Sequence, residues 1–508
     1  MTHIPEGNTM NNKQKTIRNF LYAALSQLIA IGFGFIIPRM WVVGYGSQVN
    51  GLISSLDQFL VYLNLFEAGV GAASLQALYR PVSEENWDDI NSILAASSDY
   101  YKKTSRLYFF GLLCLAIAYP VIANSDLPYF VVFFAVLFSG LGNVAAFYFQ
   151  SKYVVLLRAE GRHYLATNIV MAFNILISLT KVVLIFLGVN VVLILAAICV
   201  IQCAQVGCIV WYIRKKYPQI DLSAKPNYAA VAQKNYALVH QVVTLIFNNT
   251  DVIILTVLCG LKTVSVYAMY KMIVSHLDQV LTIVYNSVSF LLGQTRQINL
   301  ERYKRMIDLT ESVYSALAYA FYAVALYLYL PFMRLYTRGV TDANYVDQKL
   351  AVLFVAIALL SQSRVPMVQT IEYSGHFKQT APRAIAEAAI NLSVSLVGVA
   401  LWGIYGVLLG TVAALLYRTN DIIIYANTKC LYRKPWKTYA IYLVNLLVLL
   451  STTVVFPFLF GGLAMDSYPS LVLTAVCVTA CSVAMFLLAQ LAVFPHCRQG
   501  IRHILRPE

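Results

Sequence analysis

Residues 191–216 read VVLILAAICVIQCAQVGCIVWYIRKK, a long run of apolar and small residues that ends directly in Arg-Lys-Lys. A helix needs about 20 mostly apolar residues to cross about 30 Å of hydrocarbon. Runs of this kind recur along the whole chain, with short polar breaks between them. Because the bilayer offers no partners for backbone N–H and C=O groups, these runs must be helical. The sequence therefore predicts an all-α polytopic membrane protein.

The composition supports this prediction. Hydrophobic residues make up 59% of the 508 residues and charged residues 12%, and the mean hydropathy is +0.68. A soluble chain of this length would need many more charges on its surface. Cys199 and Cys203 lie within one apolar run without His or carboxylate neighbours, which indicates buried thiols rather than disulfides or a metal site. The first apolar run, 20–43, is too long for a cleavable signal peptide and predicts a retained first helix.

The apolar runs predict about fourteen transmembrane helices. The predicted spans are 18–43, 48–79, 105–124, 128–150, 165–187, 191–213, 236–259, 264–292, 308–331, 350–372, 383–402, 404–427, 438–460 and 470–494. An even number of spans places both termini on the same side of the membrane.

The basic residues decide which side this is. They cluster at the chain start (Lys13, Lys15), after the sixth span (214–216) and at the chain end (Arg498, Arg502), all on one face of the predicted topology. We call this face the basic face. Loops rich in Lys and Arg stay in the cytoplasm, so both termini are predicted to be cytoplasmic. The net charge of +14 then follows from topology, and no nucleic-acid partner is expected.

A repeat divides the chain. Arg18-Asn19-Phe20 opens the first span and Lys234-Asn235-Tyr236 opens the seventh, and the same offset carries Gly44 onto Gly260. This match predicts two six-helix lobes that start on the same side, an arrangement that places a substrate path between them. The predicted units are an N-terminal lobe at 15–213, a cytoplasmic linker at 214–235, a C-terminal lobe at 236–427 and an additional helix pair at 438–494.

The segment between the second and third spans is amphipathic. Trp87, Ile90, Ile93 and Leu94 recur at near-helical spacing among polar residues. This pattern predicts a helix that lies on the membrane surface with its apolar face in the lipid.

Ionisable residues inside the predicted spans mark the candidate site, because charges at membrane depth are costly and normally face a cavity or a partner. The predicted substrate-cavity residues are Arg39, Lys181, Lys271, Arg364, Asn174 and Asn248, and the predicted ion-coupling residues are Asp251, His240, Asp278 and Glu67. Hydrogen bonding between packed helices and structural ion pairs are the alternatives for these positions. For Arg39, which lies near a span end, snorkelling is a further alternative.

The charges favour an anionic substrate. Ammonium and guanidinium groups bind phosphate strongly away from bulk water, so Lys181, Lys271 and Arg364 suit a membrane-confined diphosphate. A polyprenyl diphosphate sugar has that chemistry. Asp251, with His240 on the same helix face, is predicted to bind Na⁺ or H⁺ and to couple transport to an ion gradient.

Several motifs resemble those of a known family. They are Phe66-Glu67-Ala68-Gly69-Val70-Gly71 with Leu78-Tyr79-Arg80-Pro81, then 249–255, then Gly375-His376-Phe377-Lys378, Asn391-Leu392-Ser393 and 403–411. In order and spacing, over about residues 15–430, the chain resembles the polysaccharide-type (Wzx-like) flippases of the multidrug/oligosaccharidyl-lipid/polysaccharide exporter superfamily.

The resemblance implies two lobes in a V around a central cavity, working by alternating access. It implies a flippase of the bacterial inner membrane that moves undecaprenyl-diphosphate-linked oligosaccharide units for capsule, O-antigen or other envelope polysaccharide. The expected partners are this lipid-linked oligosaccharide, membrane lipids, and the polysaccharide polymerase and glycosyltransferases of the same pathway. Flipping breaks no covalent bond, so neither enzymatic activity nor a cofactor beyond a coupling Na⁺ or H⁺ is expected.

Two alternative functions remain open at this point. One is a multidrug or other lipid-precursor exporter of the same superfamily. The other is a membrane enzyme of polysaccharide assembly, although the outer loops are too short for the catalytic loop that such enzymes usually carry. The sequence has no Walker motif, which argues against direct coupling to ATP.

Overall fold

The computed structural model describes residues 12–67, 70–231, 245 and 249–499, without the side chains of 12–29, 377 and 378. Every regular element in these ranges is a helix. The first half contains α1 (Asn12–Leu63), α2 (Val70–Ser83), α3 (Trp87–Ile122), α4 (Tyr129–Ala145), α5 (Ser151–Ala159), α6 (His163–Phe186) and α7 (Val191–Lys216). The second half contains α8 (Asn249–Cys259), α9 (Leu261–Ile298), α10 (Leu300–Tyr336), α11 (Gln348–Ser363), α12 (Val365–Tyr373), α13 (Phe377–Trp402), α14 (Ile404–Tyr425), α15 (Trp436–Phe460) and α16 (Tyr468–Val493).

The chain is a multi-pass membrane protein. Ten helices in the described ranges are long and apolar enough to cross a bilayer. This confirms the predicted all-α polytopic fold. The count of fourteen spans, the cytoplasmic termini and the bounds of the two lobes remain predictions.

Two glycines near the predicted repeat positions have matching backbone conformations. Gly46 interrupts α1 with φ 83° and ψ 173°, and Gly260 precedes α9 with φ 81° and ψ 169°. Only glycine adopts this region without strain, so both positions need it. Gly44, which the sequence matches to Gly260, lies within the helix, and Gly46 two residues later has the corresponding conformation.

The predicted surface helix is instead the start of α3. Asn86 caps this helix by accepting a hydrogen bond from the backbone N–H of Asp89 at 3.2 Å. The predicted apolar face is buried, with Ile90, Ile93 and Leu94 packed against α2 and α5. The prediction of a helix was right and its membrane-surface location was wrong, because protein rather than lipid covers the apolar stripe.

The first part of the predicted linker docks on α3. Asn91 donates to the carbonyl of Gln219 at 2.9 Å and accepts from the backbone N–H of Asp221 at 3.0 Å. Tyr228 donates to the carboxylate of Asp99 at 2.9 Å. Residues 217–231 therefore belong structurally to the N-terminal half of the chain.

The last helix pair packs on α10. The carboxylate of Asp308 in α10 contacts both Arg433 and Lys437, which lie around the start of α15. After the end of α16, the ring of His496 hydrogen-bonds with Ser312 at 2.8 Å, and burial lowers its pKa. α15 and α16 are thus fastened to the second half of the chain at the basic face.

Candidate functional site

The two halves of the chain meet along a row of polar side chains. The part of α1 that follows Gly46 crosses α8 and the start of α9. Three side-chain hydrogen bonds join Asn50 to Ser265 at 2.7 Å, Ser55 to Thr256 at 2.6 Å and Tyr62 to Thr250 at 2.9 Å. We call these six residues the interlobe seam. The seam thus joins the two halves along the part of α1 that follows Gly46.

Gly51 allows the closest approach within the seam. A Cβ atom at this position would lie 1.9 Å from the carbonyl oxygen of Leu261. The two backbones are therefore in direct contact, as in membrane helix pairs that use small residues at their crossing point.

Replacing Gly51 by Leu is expected to separate α1 from α9, because Leu261 presents backbone rather than a movable side chain. The measurement is the cross-linking yield of an Asn50→Cys, Ser265→Cys pair, which should fall at least severalfold. Gly32→Leu on the same helix is the matched control, since a Cβ there meets nothing within 4 Å. Equal cross-linking of the two variants would contradict the seam.

Charged side chains strengthen the contact at helix ends. Arg39 donates to the carbonyls of Leu335, at 2.9 Å, and Tyr336 in the last turn of α10. Asp342 accepts from the backbone N–H of Ser47 at 2.8 Å, at the start of the second part of α1. A cation at a helix C-terminus and an anion at an N-terminus each complement the helix dipole. The structure thus places Arg39, a predicted cavity residue, in the contact between the halves.

Polar side chains of both halves remain exposed beyond the seam. Within the described residues, the second part of α9 leaves Thr282 and Asn286 exposed, together with apolar neighbours such as Ile283. On α1, Asp57 is also exposed and interacts electrostatically with Lys181 of α6. These side chains mark the candidate position of the predicted substrate cavity, between the seam and the basic face.

Asp251 lies at the centre of a buried polar cluster. It is 4% exposed and accepts hydrogen bonds from Tyr267 at 3.2 Å and from Thr411 at 2.9 Å. Asn391 donates to the hydroxyl of Thr411 at 3.0 Å. Lys271 interacts electrostatically with Asp251 and lies 5.6 Å from the ring centroid of Tyr267. Helices α8, α9, α13 and α14 thus each supply a polar group to this cluster.

Two oxygens of the cluster have spare acceptor capacity. Within the part of the chain that the structure describes, the buried Asp251 Oδ1 and Asn391 Oδ1 accept no geometrically complete hydrogen bond. A buried acceptor without a donor costs about 1–3 kcal/mol. Carboxylate, amide and hydroxyl oxygens are the ligands that hard cations prefer, and a carboxylate also takes a proton. The cluster is therefore a candidate site for a small cation or a proton.

Asp278 lies on the same helix as Lys271 in a different setting. Its Oδ1 accepts from Tyr322 at 2.5 Å and from the amide of Gln362, and that amide oxygen accepts from Tyr314 at 2.5 Å. Three helices, α9, α10 and α11, meet in this network.

Arg364 is part of a chain of ion pairs. It lies at the break between α11 and α12 and contacts Glu387 at 2.5 Å. Glu387 also contacts Arg418 at 3.4 Å, and Arg418 pairs with Asp421 at 2.6 Å, which in turn contacts Arg383. All five side chains come from α13, α14 and the α11–α12 break.

Solved structures of two transport proteins are similar to this chain. No protein-family model and no curated protein matches the sequence. Among solved structures, the chain is similar to the lipid II flippase MurJ in an inward closed conformation, with TM-score 0.64 and 12% identity over 93% of this chain and 100% of that one. It is also similar to an inward-facing multidrug resistance MATE family transporter of the MOP superfamily, with TM-score 0.61 and 15% identity over 79% of this chain and 94% of that one. The chain therefore shares the fold of these two proteins.

Within this fold, the predicted site residues fall into separate settings. Asp251 and Lys271 come together in the buried cluster. Lys181 and the exposed Asn174 lie on α6, and Arg364 lies in the ion-pair chain. Glu67 accepts a hydrogen bond from Tyr101 at 3.3 Å near the basic face. The remaining two predictions, His240 and Asn248, lie outside the described residues.

Some polar residues of these clusters were not predicted as site residues. Glu387 is an ionisable residue inside the predicted span 383–402 and so carries the same signal as Asp251, whereas Tyr267 has no local signal that distinguishes it from other polar residues in apolar helices. Asn391 and Thr411 belong to motifs that resemble the exporter superfamily, and this resemblance is the sequence signal by which they could be predicted as site residues. In the structure, Thr411 contacts Asp251 directly and Asn391 contacts Thr411.

Proposed function

We propose that this protein flips a lipid-linked sugar precursor across the membrane by alternating access, and that the precursor is an undecaprenyl-diphosphate-linked oligosaccharide of the bacterial inner membrane. The observation that carries the proposal is the set of polar side chains that the two halves expose beyond the seam, Asp57 on α1 and Thr282 and Asn286 on α9. They support a substrate cavity between the halves that opens toward the basic face. If that face is cytoplasmic, it is the side on which such precursors are made.

Charge supports a diphosphate as the bound group. Lys271 of α9 and Lys181 of α6 each face an acidic partner, Asp251 and Asp57, rather than a lipid-exposed apolar surface. An ammonium group binds phosphate strongly where bulk water is excluded. A diphosphate that enters the cavity can then compete with these carboxylates for the two lysines.

The Asp251 cluster offers a mechanism for ion coupling. When Na⁺ or H⁺ neutralises Asp251, Lys271 loses its acidic partner and its charge becomes available to the substrate phosphate. Ion and substrate then favour each other's binding, and linkage requires this coupling to be reciprocal. The fold similarity to MurJ, a lipid II flippase by name, supports a lipid-linked substrate, and the similarity to a multidrug transporter supplies the second candidate.

The test uses the purified full chain in proteoliposomes with a fluorescent polyprenyl diphosphate oligosaccharide. Flipping moves the fluorophore into or out of the leaflet that a membrane-impermeant reductant can reach. We expect a flipping rate above that of empty liposomes. Parallel assays use a peptide-bearing lipid precursor and a cationic dye. Transport of the dye alone would overturn the proposal in favour of multidrug export.

Replacing Lys271 by Met is expected to slow diphosphate transport about tenfold or more, because one charge-assisted contact contributes about 1.5–3 kcal/mol. The measurement is the initial flipping rate in proteoliposomes at equal protein content. Lys262→Met on the same helix is the matched control, since the Lys262 side chain is 47% exposed and pairs with Asp126 at 3.9 Å. Equal rates for the two variants would remove Lys271 from the substrate path.

A further inference from the structure

Lys152 is a buried cation that the proposed transport cycle does not use. It lies in α5 near the basic face and is 6% exposed. Its ammonium donates to the backbone carbonyl of Tyr148 at 3.0 Å and lies 5.2 Å from the ring centroid of Tyr153. A buried charge normally has an opposite charge beside it. Among the described residues, however, no carboxylate forms an ion pair with Lys152.

The charges that do surround Lys152 have the same sign. Lys102 of α3 and Arg214 of α7 are close enough to repel it electrostatically. Lys102 contacts Asp99 at 3.7 Å, and both of those side chains are partly exposed to solvent. Arg214 lies in the last turn of α7 and is exposed.

The residues next to these cations pack together, since Tyr101 of α3 lies in one buried cluster with Leu156 of α5, and Ile213 of α7 lies in another with Tyr153 of α5. The three helices thus carry three cations to one junction, where the described ion pairs leave the group with a net positive charge.

Local helix geometry fixes this position. A π-helical segment, Ala146–Gln150, connects α4 to α5 and contacts both α3 and α7. Such segments shift the side chains that follow them and often occur at functional sites. Here the shift directs Lys152 into the junction of the three helices instead of letting it extend to the aqueous surface.

The cluster lies toward the ends of its helices at the basic face. Lys152 precedes the end of α5 at Ala159 by a distance of about 10 Å along the helix, and Arg214 lies in the last turn of α7. Basic pockets between transmembrane helices on the cytoplasmic side bind anionic head groups. Guanidinium and ammonium groups together suit a phosphate monoester or diester.

We propose that Lys102, Lys152 and Arg214 form a phosphate-binding site in the N-terminal half, separate from the cavity between the halves. The phosphate comes either from an anionic lipid of the leaflet at the basic face or from the adjacent solution. In either case the bound anion neutralises Lys152 and holds α3, α5 and α7 together.

The test measures lipid and phosphate binding to the purified full chain, without reference to transport. Native mass spectrometry counts bound phosphatidylglycerol against phosphatidylcholine, and a second titration uses inorganic phosphate alone. Lys152→Met and Arg214→Gln should each lower the affinity about tenfold, since each removes one charge-assisted contact. Lys103→Met, an exposed neighbour of the same charge, is the control.

The two titrations separate the sources of the phosphate. Loss of phosphatidylglycerol binding assigns the site to the lipid, and loss of inorganic phosphate binding assigns it to a soluble anion. The Arg214 variant tests the site even if Lys152→Met fails to fold, because Arg214 is exposed and packs little. Unchanged binding of both phosphate species in the Arg214 variant, or in a folded Lys152 variant, would overturn the proposal. Lys152 would then only donate a hydrogen bond to the Tyr148 carbonyl.

Discussion

Replacing Asp251 by Asn is expected to abolish the ion dependence of transport while the protein still inserts and folds. The amide has the shape of the carboxylate, so Tyr267 and Thr411 keep a hydrogen-bonding partner at this position. It cannot bind a proton or compensate the charge of a cation. The loss of one charged hydrogen-bonding group corresponds to about 10- to 100-fold in affinity for the coupling ion. The measurement is the flipping rate with and without an imposed Na⁺ or H⁺ gradient.

The same variant should bind diphosphate more tightly while turning over more slowly. The Asp251→Asn substitution leaves the charge of Lys271 without its acidic partner, as ion binding does in the proposed cycle, but the state is then permanent. Substrate release would no longer be linked to ion release. Asp466→Asn, in the exposed loop between α15 and α16, is the control. If the Asp251 variant retained full gradient dependence, the coupling site would have to lie elsewhere.

Replacing Glu387 by Gln is expected to be the most destabilising single change in the ion-pair chain. Glu387 contacts both Arg364 and Arg418, so its loss leaves one buried and one partly buried guanidinium group without this partner. Removing one member of a buried ion pair costs about 3–5 kcal/mol. The thermal unfolding temperature in detergent should fall clearly below that of the native protein.

A double variant separates charge balance from substrate binding. Glu387→Gln combined with Arg364→Gln restores the original net charge of the chain of ion pairs and should recover much of the lost stability. If Arg364→Gln alone instead abolished transport without changing the unfolding temperature, Arg364 would act on the substrate, as the sequence predicts. Equal stability of Glu387→Gln and the native protein would show that the ion pairs contribute little to the fold.

The helical fold could be predicted from the sequence because each transmembrane helix has a local signal. The run at 191–216 needs no distant residue to be recognised, and the structure has α7 over the same range. The start of α3 shows the limit of this reasoning. An apolar stripe such as Ile90 and Leu94 has the same spacing whether lipid or protein covers it, so its location depends on tertiary structure.

The candidate site could be predicted only in part, for a related reason. Asp251 and Lys271 stand out because charges in apolar helices are rare. The hydroxyl that contacts Asp251 belongs to Thr411, 160 residues away along the chain. Likewise, Arg364 was visible as a charge, but its pairing with Glu387 depends on how α13 packs. Contacts between distant helices leave no trace in spacing or composition.

The polar side chains of the interlobe seam limit the free energy that is needed to separate the two halves. Its bonds are made by hydroxyl and amide groups such as Ser55, Thr256 and Asn50, and water can replace each of them when the halves part. A hydrogen bond exchanged for one to water changes the free energy by only about 0.5–1.5 kcal/mol. A junction of this type holds the halves in register, and thermal motion or ligand binding can supply the free energy that separates them. An apolar junction of equal area would cost more free energy to separate, because its surfaces would have to be exposed to water.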